Sequence, residues 1–240
     1  RTQPKRNRKP VELDQHQEAC QRLNDEKVAR TASRPLPSGQ ITRKAAAVFL
    51  VIQALTGFLV LIQFNWFAIA LGLCSLLPVA IYPFMKRVTD WPQLFLGLAF
   101  SWGAMMGWAV TFGELPMAPM VLYVACVLWT IGYDTIYAHQ DTEDDAIVGV
   151  RSTARLFGDK TKSALIVLYG LMVGLIAIAF VTAGVAWPAW LGLATAGVHM
   201  ANQIRALDIN EPDQCLRLFK SNHTVGLLLF FGLMAAVFAP

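Results

Sequence analysis

Seven stretches of this chain are long and apolar enough, or nearly so, to cross a lipid bilayer as helices. They run roughly over 44–64, 67–85, 94–112, 118–136, 163–183, 187–205 and 224–239. A helical span takes about 20 apolar residues. None of the seven carries a polar stripe broad enough for a soluble bundle. The connectors between them are short, which suits antiparallel neighbours. The fold class this implies is all-α, a multi-span transmembrane helical bundle of seven spans. Bulk numbers agree: 15% of residues are charged, against roughly 25% in soluble domains, and the mean hydropathy is +0.47. The seventh window is the shortest and is expected to tilt or to end at the interface.

The basic residues set the orientation. Eleven lie in an N-terminal arm. Lys86 and Arg87 follow the second window, Arg151, Arg155, Lys160 and Lys162 follow the fourth, and Arg205, Arg217 and Lys220 follow the sixth. These are all 20 of the chain's Lys and Arg. The intervening turns, "FNW", "FGELPM" and "TAGVAWP", hold none. Such segregation puts the arm and the three basic loops on the cytoplasmic or matrix side of the membrane. It also supports the span count, because a missed or extra span would break the alternation. Trp66, Trp187 and Trp190 stand near predicted helix ends, as an aromatic belt requires.

The arm divides in two. Residues 1–23 form a basic polar arm, expected to be disordered or non-native, with no apolar core of a cleavable signal peptide. Residues 24–240 hold the apolar domain, introduced by "RPLPSG", whose prolines and glycine predict a rigid loop before the first span. The four cysteines, Cys20, Cys74, Cys126 and Cys215, are far apart and form no CxxC pair. Neither a zinc site nor a disulfide framework is expected, and Cys74 and Cys126 read as small apolar side chains inside helices.

One segment does not suit so apolar a chain. "YDTIYAHQDTEDD", 133–145, follows directly on an uncharged run. Asp134 and Asp141 are seven apart, and Asp141 and Asp145 are four apart. On a continued helix the three share a face and repel one another. A divalent cation relieves this, and Mg2+ takes carboxylate and phosphate oxygens. A solvated acidic helix end is the alternative that spacing alone leaves open. Counter-charges lie on the same side of the membrane. Tyr82 and Lys86 are one turn apart in "YPFMKR", and Arg30 and Arg34 are also four apart. Guanidinium groups read phosphate and carboxylate bidentately. Acids able to hold Mg2+ and bases able to hold phosphate describe a diphosphate whose tail lies in the membrane.

At this point the motifs resemble those of a known family. "YDTIYAHQDTEDDAIVGVRSTARLFG" is similar to the second aspartate-rich motif of the UbiA-type polyprenyltransferases. "VARTASRPLPSGQIT" resembles the segment after their first motif, and "SLLPVAIYPFMKR" and "WPQLFLGLAFSWGAMMGW" resemble their middle helices. The likeness covers about residues 25–240 and is greatest to the branch that prenylates 4-hydroxybenzoate in ubiquinone biosynthesis. It implies a helical membrane fold, of nine spans in the intact family, around a central cavity. It implies Mg2+-dependent transfer of a polyprenyl group from polyprenyl diphosphate to 4-hydroxybenzoate within a bacterial or mitochondrial inner membrane. No nucleic-acid partner is expected.

By match with the family motifs, Asp134, Asp141 and Asp145 are implied as metal and catalytic residues, with Asp25 as a further metal ligand. Lys86 is implied as catalytic and diphosphate-binding, and Arg30, Arg34, Tyr82, Tyr137 and Arg151 as substrate-binding. Trp102 and Trp108 line the cavity or pack within the bundle. Gly103 and Gly107 have a small-xxx-small spacing that allows close helix approach.

The chain departs from the family pattern in two ways. Seven spans stand where nine are usual. The first motif, N-D-x-x-D-x-x-x-D, is not intact: its last acid falls on Asp25 and its earlier positions on Gln21, Glu18 and Gln17, or else Asn24–Asp25 opens the motif before a deletion. Two alternatives to the main expectation follow. One is a related prenyltransferase with haem or homogentisate as acceptor. The other is a non-catalytic fragment or pseudoenzyme whose acids bind only a cation or lipid headgroup. A transporter fits less well, because the acids lie at a helix end rather than at the bilayer midplane.

Overall fold

The computed structural model describes residues 35, 36, 38–142 and 149–239. Among them every regular element is helical. The chain divides into two units, Arg1–Gly57 and Phe58–Pro240.

In the first unit the described chain opens with a turn at Pro35, Leu36, Ser38 and Gly39. Gly39 has φ 75°, a conformation that costs glycine nothing and other residues a good deal. Its N–H reaches the Leu36 carbonyl at 3.3 Å, and that of Ile41 reaches Pro35 at 3.2 Å. Thr42 then caps α1 (Arg43–Leu61), its hydroxyl accepting from the Ala45 N–H at 3.2 Å. No residue of α1 is buried, although most are apolar. A helix of that kind needs a non-aqueous surrounding, and within lipid its backbone groups are all satisfied along its own axis.

The second unit contains α2 (Trp66–Cys74), α3 (Leu76–Val88), α4 (Pro92–Phe100), α5 (Gly103–Phe112), α6 (Met117–Ala138), α7 (Thr153–Phe157), α8 (Thr161–Ala183), α9 (Trp187–Ala206) and α10 (Pro212–Val237), with 3₁₀ turns at His139–Asp141 and Gly158–Lys160. All seven expected windows are helical. Six stretches of the described chain are long and apolar enough to cross a membrane, with α2–α3 and α4–α5 each counted as one. The remaining window, α9, has 20 residues, but His199, Asn202, Gln203 and Arg205 make its second half polar.

Two expected single helices are broken, each for a local reason. Between α2 and α3, the Ser75 hydroxyl donates to the Gly72 carbonyl at 2.6 Å, and the Ser75 N–H is shared between Leu71 and Gly72 at 3.2 Å each. Pro78, three residues on, has no N–H to offer Cys74. Between α4 and α5 the chain turns through Ser101 and Trp102. There the Trp102 indole donates to the Leu71 carbonyl at 3.1 Å, so one break helps satisfy the other. Asn65 works similarly at the start of α2. Its side chain accepts from Ala68 N–H at 2.9 Å and donates to Ala109 and Val110 carbonyls at the end of α5, at 2.8 and 3.0 Å.

The last helix is much longer than its apolar window. α10 has 26 residues and takes in "PDQCLRLFKSNH", which hydropathy excludes. Its polar side chains have partners on neighbouring helices. Gln203 of α9 donates to the Ser221 hydroxyl at 2.6 Å, His199 meets the Ser221 carbonyl at 3.2 Å, and Trp129 of α6 donates to Asn222 at 2.9 Å.

The core lies among α6, α8, α9 and α10, where Ile136, Leu165, Met172, Met200 and Val225 are almost wholly buried. In lipid, helices gain little by hiding apolar surface from one another, so close packing must hold them together. Glycines permit it, but not the pair expected. A Cβ on Gly103 or Gly107 would meet nothing within 4 Å. Both face open space, because spacing alone does not say which side of a helix meets a neighbour. The tight contacts are elsewhere. A Cβ on Gly132 would come within 2.3 Å of the Tyr169 ring, one on Gly97 within 3.0 Å of the Val127 carbonyl, and one on Gly232 within 2.8 Å of Gly192 Cα. The Gly192–Gly232 pair brings α9 and α10 together backbone to backbone. Gly232→Ala is therefore expected to cost about 1–3 kcal/mol, since neither backbone can retreat. Gly107→Ala should leave the midpoint unchanged or raise it. Thermal unfolding of the two variants in detergent checks this.

Candidate functional site

The acidic segment sits at the end of α6. Residues 143–148 lie outside the described chain, so only the first part of the segment is seen. The helix stops at Ala138 and tightens into the 3₁₀ turn His139–Asp141. Side chains close this end. Gln140 donates to the Tyr137 carbonyl and Thr142 to the His139 carbonyl, both at 2.9 Å. His139 is buried, and its Nε2 lies 2.9 Å from the Thr161 hydroxyl. That hydroxyl donates to Gly158 at 2.7 Å, so Nε2 carries the proton and donates to Thr161. Burial holds the imidazole below its ordinary value of 6.5, which keeps it neutral and fits this role.

Asp134 occupies the last turn of α6. A carboxylate at a helix C-terminus opposes the helix dipole, at a cost of about 0.3–1 kcal/mol. Asp134 is half-buried and acts electrostatically on the phenols of Tyr133 and Tyr82. Tyr82 comes from the middle of α3. Lys86 follows Tyr82 by one turn of α3. Arg151 joins it: its N–H donates to the Lys86 carbonyl at 3.0 Å, its guanidinium reaches the Val88 carbonyl at 3.4 Å, and it approaches Asp90 at 3.9 Å. That exposed ion pair is worth little in stability. Tyr137 packs on Phe219 of α10, with ring centroids 4.5 Å apart. Asp134, Tyr82, Lys86, Arg151 and Tyr137 thus gather at one end of the second unit. Arg30, Arg34, Asp25 and Asp145 lie outside the described residues, as does the side chain of Asp141. Among the described residues no group of three or more His, Cys, Asp or Glu is placed to hold a metal ion.

Sequence reasoning missed the latch that puts Arg151 beside Lys86. Ser152 caps α7, accepting from Arg155 N–H at 3.4 Å, and the Arg155 guanidinium donates back to the Val150 carbonyl. Thr153, wholly buried, donates its N–H to Gln93 of α4 at 3.1 Å. Its hydroxyl meets that of Thr135 on α6 at 2.6 Å. Thr135 gives its own proton to Ile131 at 2.6 Å, so Thr153 is the donor. The only signal was the sequence "RST" itself, which spacing could not connect to Gln93 or Thr135.

Deeper along α6 a cavity of about 490 Å³ opens between the α4–α5 break, α6 and α10. Trp129, Tyr133, Phe219 and Asn222 line it, as does Cys126, which the sequence had suggested was packing. Ser101 also lines it, and its hydroxyl is buried without a hydrogen-bond partner. An unpaired buried hydroxyl on a cavity wall is an open place for a polar group of a ligand. Trp102 and Trp108 do not line this cavity. Trp102 stacks edge-on to Tyr123 at 5.7 Å and Trp108 on Phe112 at 5.1 Å. A second cavity, of about 520 Å³, lies at the opposite ends of α9 and α10 around Trp187 and Phe238, remote from the candidate residues.

Comparison with known proteins was made against this geometry. The UbiA prenyltransferase family matches residues 21–237. The chain is 46% identical over 211 residues to the mitochondrial 4-hydroxybenzoate polyprenyltransferase of Bos taurus, covering 88% of this chain and 57% of the relative. To the proteins of the same name from Drosophila melanogaster and Homo sapiens it is 48% and 44% identical over 211 residues, covering 88% of this chain and 54% and 57% of theirs. The chain spans about half the length of the curated relatives it matches. In fold it is similar to the apo structure of a UbiA homolog from Aeropyrum pernix K1, with TM-score 0.75 and 22% identity over 89% of this chain and 80% of that one. It is also similar to a digeranylgeranylglyceryl phosphate synthase, with TM-score 0.61 and 19% identity over 90% of this chain and 79% of that one.

The latch makes a prediction. Thr135→Val strands the buried Thr153 hydroxyl, a loss of about 1–3 kcal/mol. Gln93→Leu does the same to the Thr153 N–H. Each should lower the thermal midpoint and make the 149–155 segment more susceptible to limited proteolysis.

Proposed function

The chain belongs to the UbiA prenyltransferase family, and from that membership we propose that it transfers a polyprenyl group from polyprenyl diphosphate to the ring of 4-hydroxybenzoate. One observation carries the reading: Arg151 is held against Lys86, one turn after Tyr82, while Asp134 adjoins Tyr133, whose ring lines the cavity with Trp129. Charged groups at the membrane edge beside an apolar chamber suit a substrate with a diphosphate head and an isoprenoid tail. The printed names of the relatives support the acceptor.

In the proposed reaction the allylic C1–O bond breaks and its electron pair leaves with the diphosphate. The ring carbon ortho to the hydroxyl supplies the pair for the new C–C bond, and that carbon then releases its proton. Lys86 and Arg151 draw the diphosphate to this end and stabilise the charge that grows on it. Tyr82 fixes its orientation. The walls of the cavity keep water from the reactive carbon. Asp134, with Asp141 and Asp145, supplies hard oxygen ligands suited to Mg2+, and Asp25 is a further candidate. Mg2+, when bound, neutralises the departing diphosphate. The membrane is proposed to be the mitochondrial inner membrane, with the acidic segment on the matrix side.

A second reading, a non-catalytic member of the family, is favoured by the first motif, whose middle acidic position holds Gln21 and whose opening asparagine position holds Gln17. It predicts binding of a prenyl diphosphate analogue without any effect of Mg2+. Haem and homogentisate remain to be compared as acceptors in the same assay. The test is transfer of labelled prenyl group to 4-hydroxybenzoate in membranes holding this chain. EDTA should abolish transfer, and Asp134→Asn and Asp141→Ala should each lower it by about 100-fold or more. Transfer that survives both chelation and the substitutions overturns the reading.

A further inference from the structure

Three aromatic residues on α6, Trp129, Tyr133 and Tyr137, recur every four residues and so share one face. Phe219 of α10 enters this row, 5.8 Å from Tyr133 and 4.5 Å from Tyr137 between ring centroids. Trp129 stands edge-on to Tyr133 at 5.9 Å. Ring contacts of this kind are worth about 0.5–1.5 kcal/mol and tolerate sliding, so they do not by themselves fix how α10 sits against α6.

Asn222 does fix it. Only 7% exposed, it lies one turn from Phe219 and accepts from the Trp129 indole N–H at 2.9 Å. Its own amide protons go to the Leu218 and Phe219 carbonyls at 3.1 and 3.2 Å. Those two bonds turn its oxygen outward toward α6, and the amide cannot rotate without losing both. The indole has one donor and the amide one oriented acceptor, so the two helices have a single satisfied register. Trp129, Tyr133, Phe219 and Asn222 all face the cavity, and Tyr133 adjoins Asp134.

We infer that Asn222 is a positioning residue which, through Trp129, closes the aromatic wall of the cavity against water. The inference rests on the prenyltransferase reading above. When C1–O breaks with its pair going to diphosphate, C1 takes a pair either from the aromatic ring, which then loses a proton, or from a water oxygen, which loses a proton to leave a prenyl alcohol. A wall that shifts admits water, and the second outcome grows at the expense of the first.

Trp129→Phe keeps the ring and removes the donor; Asn222→Leu keeps the size and removes the acceptor. The two variants and their combination are assayed in membranes with labelled prenyl diphosphate, 4-hydroxybenzoate and Mg2+, and both the prenylated acceptor and the prenyl alcohol are measured. Each single variant should raise the ratio of alcohol to prenylated acceptor by about fivefold, and the double variant no further than the worse single, because either change removes the same bond. An unchanged ratio overturns the inference, whether total turnover stays normal or falls with the amount of folded protein. So does a double variant in which the two effects multiply. Should Asn222→Leu fail to fold, Trp129→Phe alone decides by the same ratio. If the unaltered chain yields neither product, the prenyltransferase reading fails and this inference with it. If it yields prenylated acceptor while the variants match it, only this inference fails.

Discussion

A bilayer offers no water to a stray N–H or C=O, so every polar group within it has to find its partner in the protein. That constraint shapes this chain more than apolar burial does, since α1 to α5 bury few side chains at all. Where α2 breaks from α3, the Ser75 hydroxyl and the Trp102 indole take up the exposed carbonyls. Where α10 carries polar residues into the bundle, α9 and α6 present matching donors. The same rule makes the few unmatched groups informative. Ser101 lacks a partner on the cavity wall, where a ligand can supply one.

The candidate site follows from how α6 ends. The helix tightens into the 3₁₀ turn His139–Asp141, anchored from behind by His139 on Thr161. Asp134 remains on the helix proper, next to Tyr133 of the cavity wall. From the other side, the latch formed by Thr153, Gln93 and Thr135 draws the strand-like segment after residue 149 onto α4 and α6, and Arg151 comes with it to Lys86. This second attachment to α6 is buried and purely structural.

What could be read from the sequence was what depends on neighbours in the chain. The spans were visible because a bilayer crossing is one continuous apolar run. The acids stood out because like charges directly after such a run have an evident cost. The first twelve residues of α10 were not visible, because their acceptability depends on partners such as Trp129, 93 positions away. Thr153 was equally opaque, with Gln93 sixty positions off. Gly103 and Gly107 had the spacing of a packing motif and no neighbour, while Gly192 and Gly232 carry the contact without any signature. Hydropathy and spacing are local quantities, and pairing across the bundle is not.

The Gly192–Gly232 crossing has a mechanical consequence. It pins α10 to α9 near the membrane face opposite the acids, while Phe219 lies about 20 Å along the same helix at 1.5 Å per residue. Gln203 and His199 clasp Ser221 near that other end. The two helices are therefore fastened at both extremities, and Phe219 is carried to the chamber at a set height.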